Sequence, residues 1–256
     1  MVYALCCVPV SPMRAEASHR SEMVSQLLFG ECGSVTEETK DFVKITSLYD
    51  GYEGWCQRSQ LQLTGSIPGD TNSTILVGEW VDKVSINGTN AWVPMGTPII
   101  SAAHEDLVIG PFRIRYQVGS PWNTATAMPT ADAITARAMR FLNTPYLWGG
   151  RSVFGIDCSG FTQSVFRFFH TKLLRDAYLQ ATQGENIGFL QEARCGDLAF
   201  FDNAEGKITH VGILLNDEAI IHASGKVRID KIDHAGIINT DTGERTHTLR
   251  IIKRYF

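Results

Sequence analysis

The chain has 256 residues, of which 44% are apolar, and a formal net charge of −4. At roughly 100–200 residues per domain, that length suggests one large domain or two to three small ones. The mildly acidic balance gives no electrostatic reason to expect nucleic acid or an anionic membrane surface as a partner, and no run approaches the roughly 20 apolar residues that would insert into a membrane.

The first ten residues, Met1–Val10, are apolar but lack a basic leader region and are interrupted by Pro9, so they read as a strand rather than a signal peptide. Strand-like runs follow at Val24–Leu28, Phe42–Ile45, Gly54–Arg58, Ile75–Val77, Val84–Ile86, Ala91–Val93, Ile99–Ser101, Asp106–Ile109 and Ile114–Val118, separated by turn residues. Asn87-Gly88 is a strong hairpin signal. Many short strands without a helix-period stretch argue for small barrels, and they divide into one over residues 1–63 and a second over 64–125. Trp55 and Trp92 read as barrel core residues.

Residues 126–256 change character. Asp132–Leu142 has helical spacing, and Cys158–Phe169 places Phe161, Val165, Phe168 and Phe169 on one buried face. Strands are expected at Asp197–Phe201, Ile208–Leu215, Ala219–His222, Val227–Ile229 and Leu249–Arg254. A helix pair followed by antiparallel strands is an α+β layer arrangement.

Six cysteines are present, with no CxxC pair, and no two of the seven histidines have the helix spacing of a zinc site. A chain this long buries a core without disulfides, so the thiols read as free. Free thiols and the missing leader favour a cytoplasmic protein; removal of a leader would instead place it in the periplasm or on a lipid anchor. No metal and no cofactor is expected, and the oligomeric state leaves no sequence signal.

Cys158 falls at the expected start of a helix, after a Gly-rich turn. Unpaired N–H groups and the helix dipole there favour a thiolate and face a developing oxyanion. His210 and His222 lie on two strands joined by a tight turn. If Leu214 and Glu218 close that turn, the two imidazoles are directly opposed. One then takes the thiol proton while the other orients it. A lone cysteine would read as a small buried residue, and a lone histidine as a satisfied one; the combination points to a nucleophile. Copper or zinc held by the same three residues stays open.

Pro145-Tyr146-Leu147-Trp148-Gly149-Gly150, Asp157-Cys158-Ser159-Gly160-Phe161, Gly196-Asp197-Leu198-Ala199-Phe200-Phe201, Thr209-His210-Val211-Gly212-Ile213 and Ile221-His222-Ala223-Ser224 resemble, in order and spacing, the NlpC family of cell-wall peptidases. The resemblance implies a papain-like domain preceded by two SH3-like barrels. It also implies hydrolysis of the γ-D-glutamyl to L-diamino-acid bond of a murein peptide carrying a free N-terminal L-Ala. Cys158 would be the nucleophile, His210 the base and His222 its orienting partner, with the Tyr146 hydroxyl near the oxyanion. A buried substrate ammonium needs carboxylates and acceptors. Asp157 and Ser159 flank the nucleophile, Asp176 matches a second binding position, and Glu22 and Tyr52 match best from the first barrel. Two other functions remain: a non-catalytic module that holds cell-wall peptides, and a thioester acyltransferase.

Overall fold

Buried and more exposed positions alternate along Val10–Arg14, Phe42–Ser47 and Phe112–Gln117, the period of a strand with one face on a core. The structure, a computed structural model, describes residues 1–69, 73–101 and 105–256. The chain divides into two units: Met1–Ala125 together with Trp148–Val153, and Thr126–Leu147 together with Phe154–Phe256.

In the first unit, strands β1 (Tyr3–Cys6), β2 (Val10–Arg14), β3 (Met23–Leu28), β4 (Cys32–Glu38), β5 (Phe42–Ser47), β6 (Glu53–Gln57) and β7 (Leu61–Thr64) form one sheet in the order β3-β2-β6-β5-β4-β1-β7. The apolar run Met1–Val10 is therefore two strands, broken before Pro9, which has no N–H for a ladder. Ala4, Cys6, Met13, Leu27, Val43, Ile45 and Cys56 pack inside this sheet. Further strands are β8 (Ile75–Val77), β9 (Val81–Ile86), β10 (Thr89–Pro94), β11 (Leu107–Ile109), β12 (Phe112–Gln117) and β13 (Pro121–Asn123). They give a four-stranded sheet, β10-β9-β12-β11, and a β8–β13 pair. Asn87 and Gly88 make the expected two-residue hairpin turn, with φ of 51° and 82°. Ile99–Ser101 is not a strand; only a single bridge joins Pro98 to Leu76.

Trp55 and Trp92 are not core residues. Cys56 and Val93 face inward, so strand alternation turns the adjacent tryptophans out. Trp92 is 55% exposed, with the Lys83 ammonium 4.8 Å from its ring centre.

Two-residue strands β14 (Arg151–Ser152) and β15 (Gly155–Ile156) mark where the chain passes from one unit to the other. In the second unit, helix α1 (Ala131–Met139) starts at Thr130, whose hydroxyl accepts the Ala133 N–H. Helix α2 (Cys158–Arg167) is followed by the short α3 (Ala177–Gln180). The strands are β16 (Glu185–Ile187), β17 (Leu198–Asp202), β18 (Ile208–Leu214), β19 (Ala219–Ser224), β20 (Lys226–Asp233), β21 (Gly236–Ile238) and β22 (Arg245–Arg254). Their order is β16-β22-β17-β18-β19-β20-β21, and β21 also pairs with β22, so the sheet closes on itself.

Ala199, Phe201, Leu214, Ile220, Ile232, Ile237 and Ile252 fill one face of this closed sheet. Helix α2 packs on β18 and β19, with Phe161, Val165, Phe168 and Phe169 all buried, as their spacing requires. No helix among the described residues is long and apolar enough to cross a membrane.

Candidate active site

Asp157 sets the start of α2. Its backbone is extended, and its carboxylate accepts the Gly160 N–H at 2.6 Å, which caps the helix and leaves Cys158 as its first residue. The same carboxylate meets Arg175, whose two terminal nitrogens lie 2.6 Å from Oδ2 and 3.1 Å from Oδ1. Arg175 also donates to the Ser159 hydroxyl at 2.9 Å. Arg175 is 1% exposed and Asp157 6%, a desolvated pair that holds only because each partner is hydrogen-bonded. Gln180 keeps the Arg175 segment on α2 by donating to the carbonyls of Ser159 and Leu174. Asp176 is the N-cap residue of α3, but its side chain does not cap that helix.

Cys158 is buried. The helix-terminus expectation of a ready thiolate is not met. Burial, reinforced by the Asp157 charge, pushes the thiol up to about 12, against the opposing pull of the Val211 and Ser159 N–H groups and of Arg175. Desolvation outweighs the helix end. The Val211 contact places the sulfur beside the residue that follows His210. Tyr146 is tied in by its N–H to the Gly225 carbonyl. Burial and the nearby Cys158 and Asp157 raise its phenol.

His210 and His222 face the inside of the closed sheet. They are not directly opposed: the turn spans Leu215–Glu218, Leu214 pairs with Ile220, and His222 sits across from Gly212. The expected register was off by two residues, a slip that keeps every side chain on its own face. The imidazoles meet diagonally, with His210 Nε2 2.8 Å from His222 Nδ1. Burial, then repulsion from His222 and His247, holds His210 well below the ordinary histidine range. Both shifts oppose a charged pair between the Cys158 thiol and the His210 imidazole.

Three further residues complete the cluster, and the sequence reading passed over them. Asp230 accepts from His222 Nε2, at 3.0 Å to Oδ2. Arg228 grips Asp230 through an Nη2 contact of 2.8 Å to Oδ1; its Nε lies 2.8 Å from Oδ2 as an ion pair, without the alignment of a hydrogen bond. His247 of β22 stacks on His210 with ring centres 4.1 Å apart. A usable signal existed: Arg228, Asp230 and Ile232 share one phase of a strand, as do His247 and Leu249. Among the described residues no group of three or more His, Cys, Asp or Glu side chains is placed to hold a metal ion, and both facing nitrogens of His210 and His222 are engaged with each other.

Glu22 and Tyr52 lie in the first unit. Glu22 is exposed and accepts the Trp148 indole N–H at 2.6 Å. Tyr52 packs against the core of the first sheet. In the same unit Arg151 forms a buried ion pair with Glu31 at 3.0 Å and donates to the Gln26 carbonyl.

Residues 143–246 match the NlpC/P60 family, and residues 13–61 match the bacterial dipeptidyl-peptidase SH3 domain. The chain is 32% identical over 217 residues to gamma-D-glutamyl-L-lysine dipeptidyl-peptidase of Bacillus subtilis (strain 168), covering 78% of this chain and 71% of that one. It is 26% identical over 261 residues to the protein of the same name from Bacillus cereus, covering 90% of this chain and 77% of that one. Its fold is similar to the crystal structure of an NlpC/P60 family protein from Bacillus cereus ATCC 10987, with a TM-score of 0.77, 21% identity and 99% of both chains covered. Relatedness over most of the chain, with the family match falling on the segment that carries Cys158, His210 and His222, means that this protein belongs to the NlpC/P60 family of cysteine peptidases.

Proposed function

We propose that the protein is a cysteine endopeptidase that hydrolyses the γ-D-glutamyl to L-diamino-acid bond of murein peptides with a free N-terminal L-Ala, releasing L-Ala-γ-D-Glu. The observation that carries this reading is the hydrogen-bonded His210–His222 pair beside a cysteine at the N-terminus of a helix. The names of the two Bacillus relatives support the bond and the diamino acid.

His210 Nε2 is committed to His222, so Nδ1 is the nitrogen left to take the Cys158 proton as sulfur bonds to the γ-carbonyl carbon. The α2 N-terminal N–H groups, with the Tyr146 hydroxyl, stabilise the oxyanion. His210 then passes its proton to the departing amine, the C–N bond breaks, and a thioester remains. Water attacks that thioester, giving one proton to His210, and the thiol is regenerated as the C–S bond breaks.

Asp157, Ser159 and Asp176 are assigned to the substrate amine. Arg175 already matches the Asp157 charge, and the half-buried Asp176 is assigned as a further carboxylate for the amine. Glu22 and Tyr52 are assigned to substrate binding as well, and Glu22→Gln is expected to raise KM. The second unit is read as a papain-like layer arrangement, and the β8–β13 region as a second SH3-like module.

The test is incubation with L-Ala-γ-D-Glu-diaminopimelate, its lysine counterpart, and both peptides N-acetylated. Free L-Ala-γ-D-Glu from the unblocked peptides, with little or none from the blocked ones, is the expected result. Equal rates on blocked peptide would remove the amine pocket from the reading. Binding without products would mark a holding module, and a new amide would mark acyl transfer.

A further inference from the structure

Asp230 lies outside the catalytic set assigned above, yet it is 2% exposed and its side chain is wholly occupied. Oδ2 faces His222 Nε2 at 3.0 Å and Arg228 Nε at 2.8 Å. Oδ1 accepts from Arg228 Nη2 at 2.8 Å and from the Thr240 N–H at 2.9 Å. Arg228 is itself held by Asn239 and Asp241. Every neighbour of this carboxylate is a donor or a cation, and together they keep it ionised against the cost of burial. An ionised carboxylate only accepts.

That restriction propagates. His222 Nε2 must carry a hydrogen to bond Asp230. In a neutral His222, Nδ1 is then a lone pair, so the 2.8 Å contact with His210 requires His210 Nε2 to donate. His210 Nδ1 is left unprotonated. We infer that Asp230 is a positioning residue which, through His222, fixes His210 as the tautomer whose Nδ1 lone pair serves as the base. This inference rests on His210 being the base in the proposed reaction. Arg228 and Asp230 on β20, Phe201 on β17 and His247 on β22 are the groups that face the relay, and Arg228 and Asp230 are the charged ones.

The experiment reads the tautomers directly, by long-range 1H–15N correlation of the histidine rings at neutral pH in the full chain. Hydrogens on Nε2 of both His210 and His222 are expected, with both Nδ1 atoms unprotonated. A hydrogen on His210 Nδ1 overturns the inference, with no substrate involved. Asp230→Asn supplies the second arm, because its amide can donate to His222 Nε2 and reverse the order. That variant is expected to move the hydrogen to Nδ1 of both rings and to lower kcat roughly 100- to 1,000-fold, with KM within about twofold of wild type. Wild-type kcat, or unchanged tautomers in the variant, would overturn the inference while leaving the peptidase reading intact. Should the murein peptides prove not to be substrates, the tautomer measurement still decides the role of Asp230.

Discussion

Gly212 stands directly across from His222 in the β18–β19 ladder, and the missing side chain there is what leaves room for the imidazole. A Cβ on Gly212 would lie 2.8 Å from His222 Cβ and 2.7 Å from Ile220 Cδ1. Ile220 Cγ1 would lie 2.9 Å away on a fully buried side chain, and His222 Cβ is fixed by the strand. Gly212→Ala is expected to fold, to displace the His222 ring and to lower kcat/KM by about 10- to 100-fold. Steady-state kinetics beside circular dichroism check it; unaltered kinetics would show that the relay tolerates displacement.

The buried thiol makes a prediction about reactivity. Cys158 is raised to about 12 and His210 is lowered, and both shifts oppose a preformed thiolate–imidazolium pair. Alkylation of Cys158 by iodoacetamide should be slow at pH 7 and still rising at pH 10, followed by mass spectrometry of the Cys158 peptide. A rate that levels off below pH 7 would mean a preformed thiolate. Cys158→Ala should abolish peptide cleavage, by at least about 10,000-fold, with an unchanged far-UV spectrum.

Arg175 matters for stability through Asp157. Arg175→Met leaves a buried carboxylate without its cation and should cost about 3–5 kcal/mol in urea unfolding. Adding Asp157→Asn removes the stranded charge, and the double variant should recover much of that loss. If the two losses simply add, the pair is not what holds this corner of the fold.

A fourth expectation concerns acid. Burial lowers His247 to about 4 from an ordinary 6.5, and His210 is lowered too. The unfolded chain therefore takes up these protons before the folded one. Stability is present in full above pH 6.5 and declines as pH falls from there toward about 4. His247→Gln should make the decline of Tm between pH 7 and pH 4.5 shallower, as read by thermal unfolding. A slope equal to wild type would assign the acid sensitivity elsewhere.

What the sequence made legible was local. Helix α2 could be read because Phe161, Val165, Phe168 and Phe169 repeat on one face, and Cys158 because a cap and a Gly-rich turn precede it. Asp230 was missed because charges interrupt the apolar alternation of Lys226–Asp233, so only Val227–Ile229 read as a strand. Arg175 was seen merely as the neighbour of Asp176. Nothing local records that it reaches back to Asp157, 18 residues earlier. Strand β4 begins with Cys32-Gly33-Ser34 and ends in exposed threonine and glutamates, so its residue types hid it. The two-residue error in histidine register came from turn length, which depends on the Leu215–Ala219 hydrogen bond rather than on residue type.

The closed sheet is not evenly laced. Strands β18 and β19 each have a neighbour on both sides, yet the ladder between them runs only over Gly212–Leu214 and Ile220–His222. Val211, one residue past its end, turns its N–H to the Cys158 sulfur. The seam parts where the thiol enters, and a donor that a longer ladder would have consumed is left to steady the sulfur.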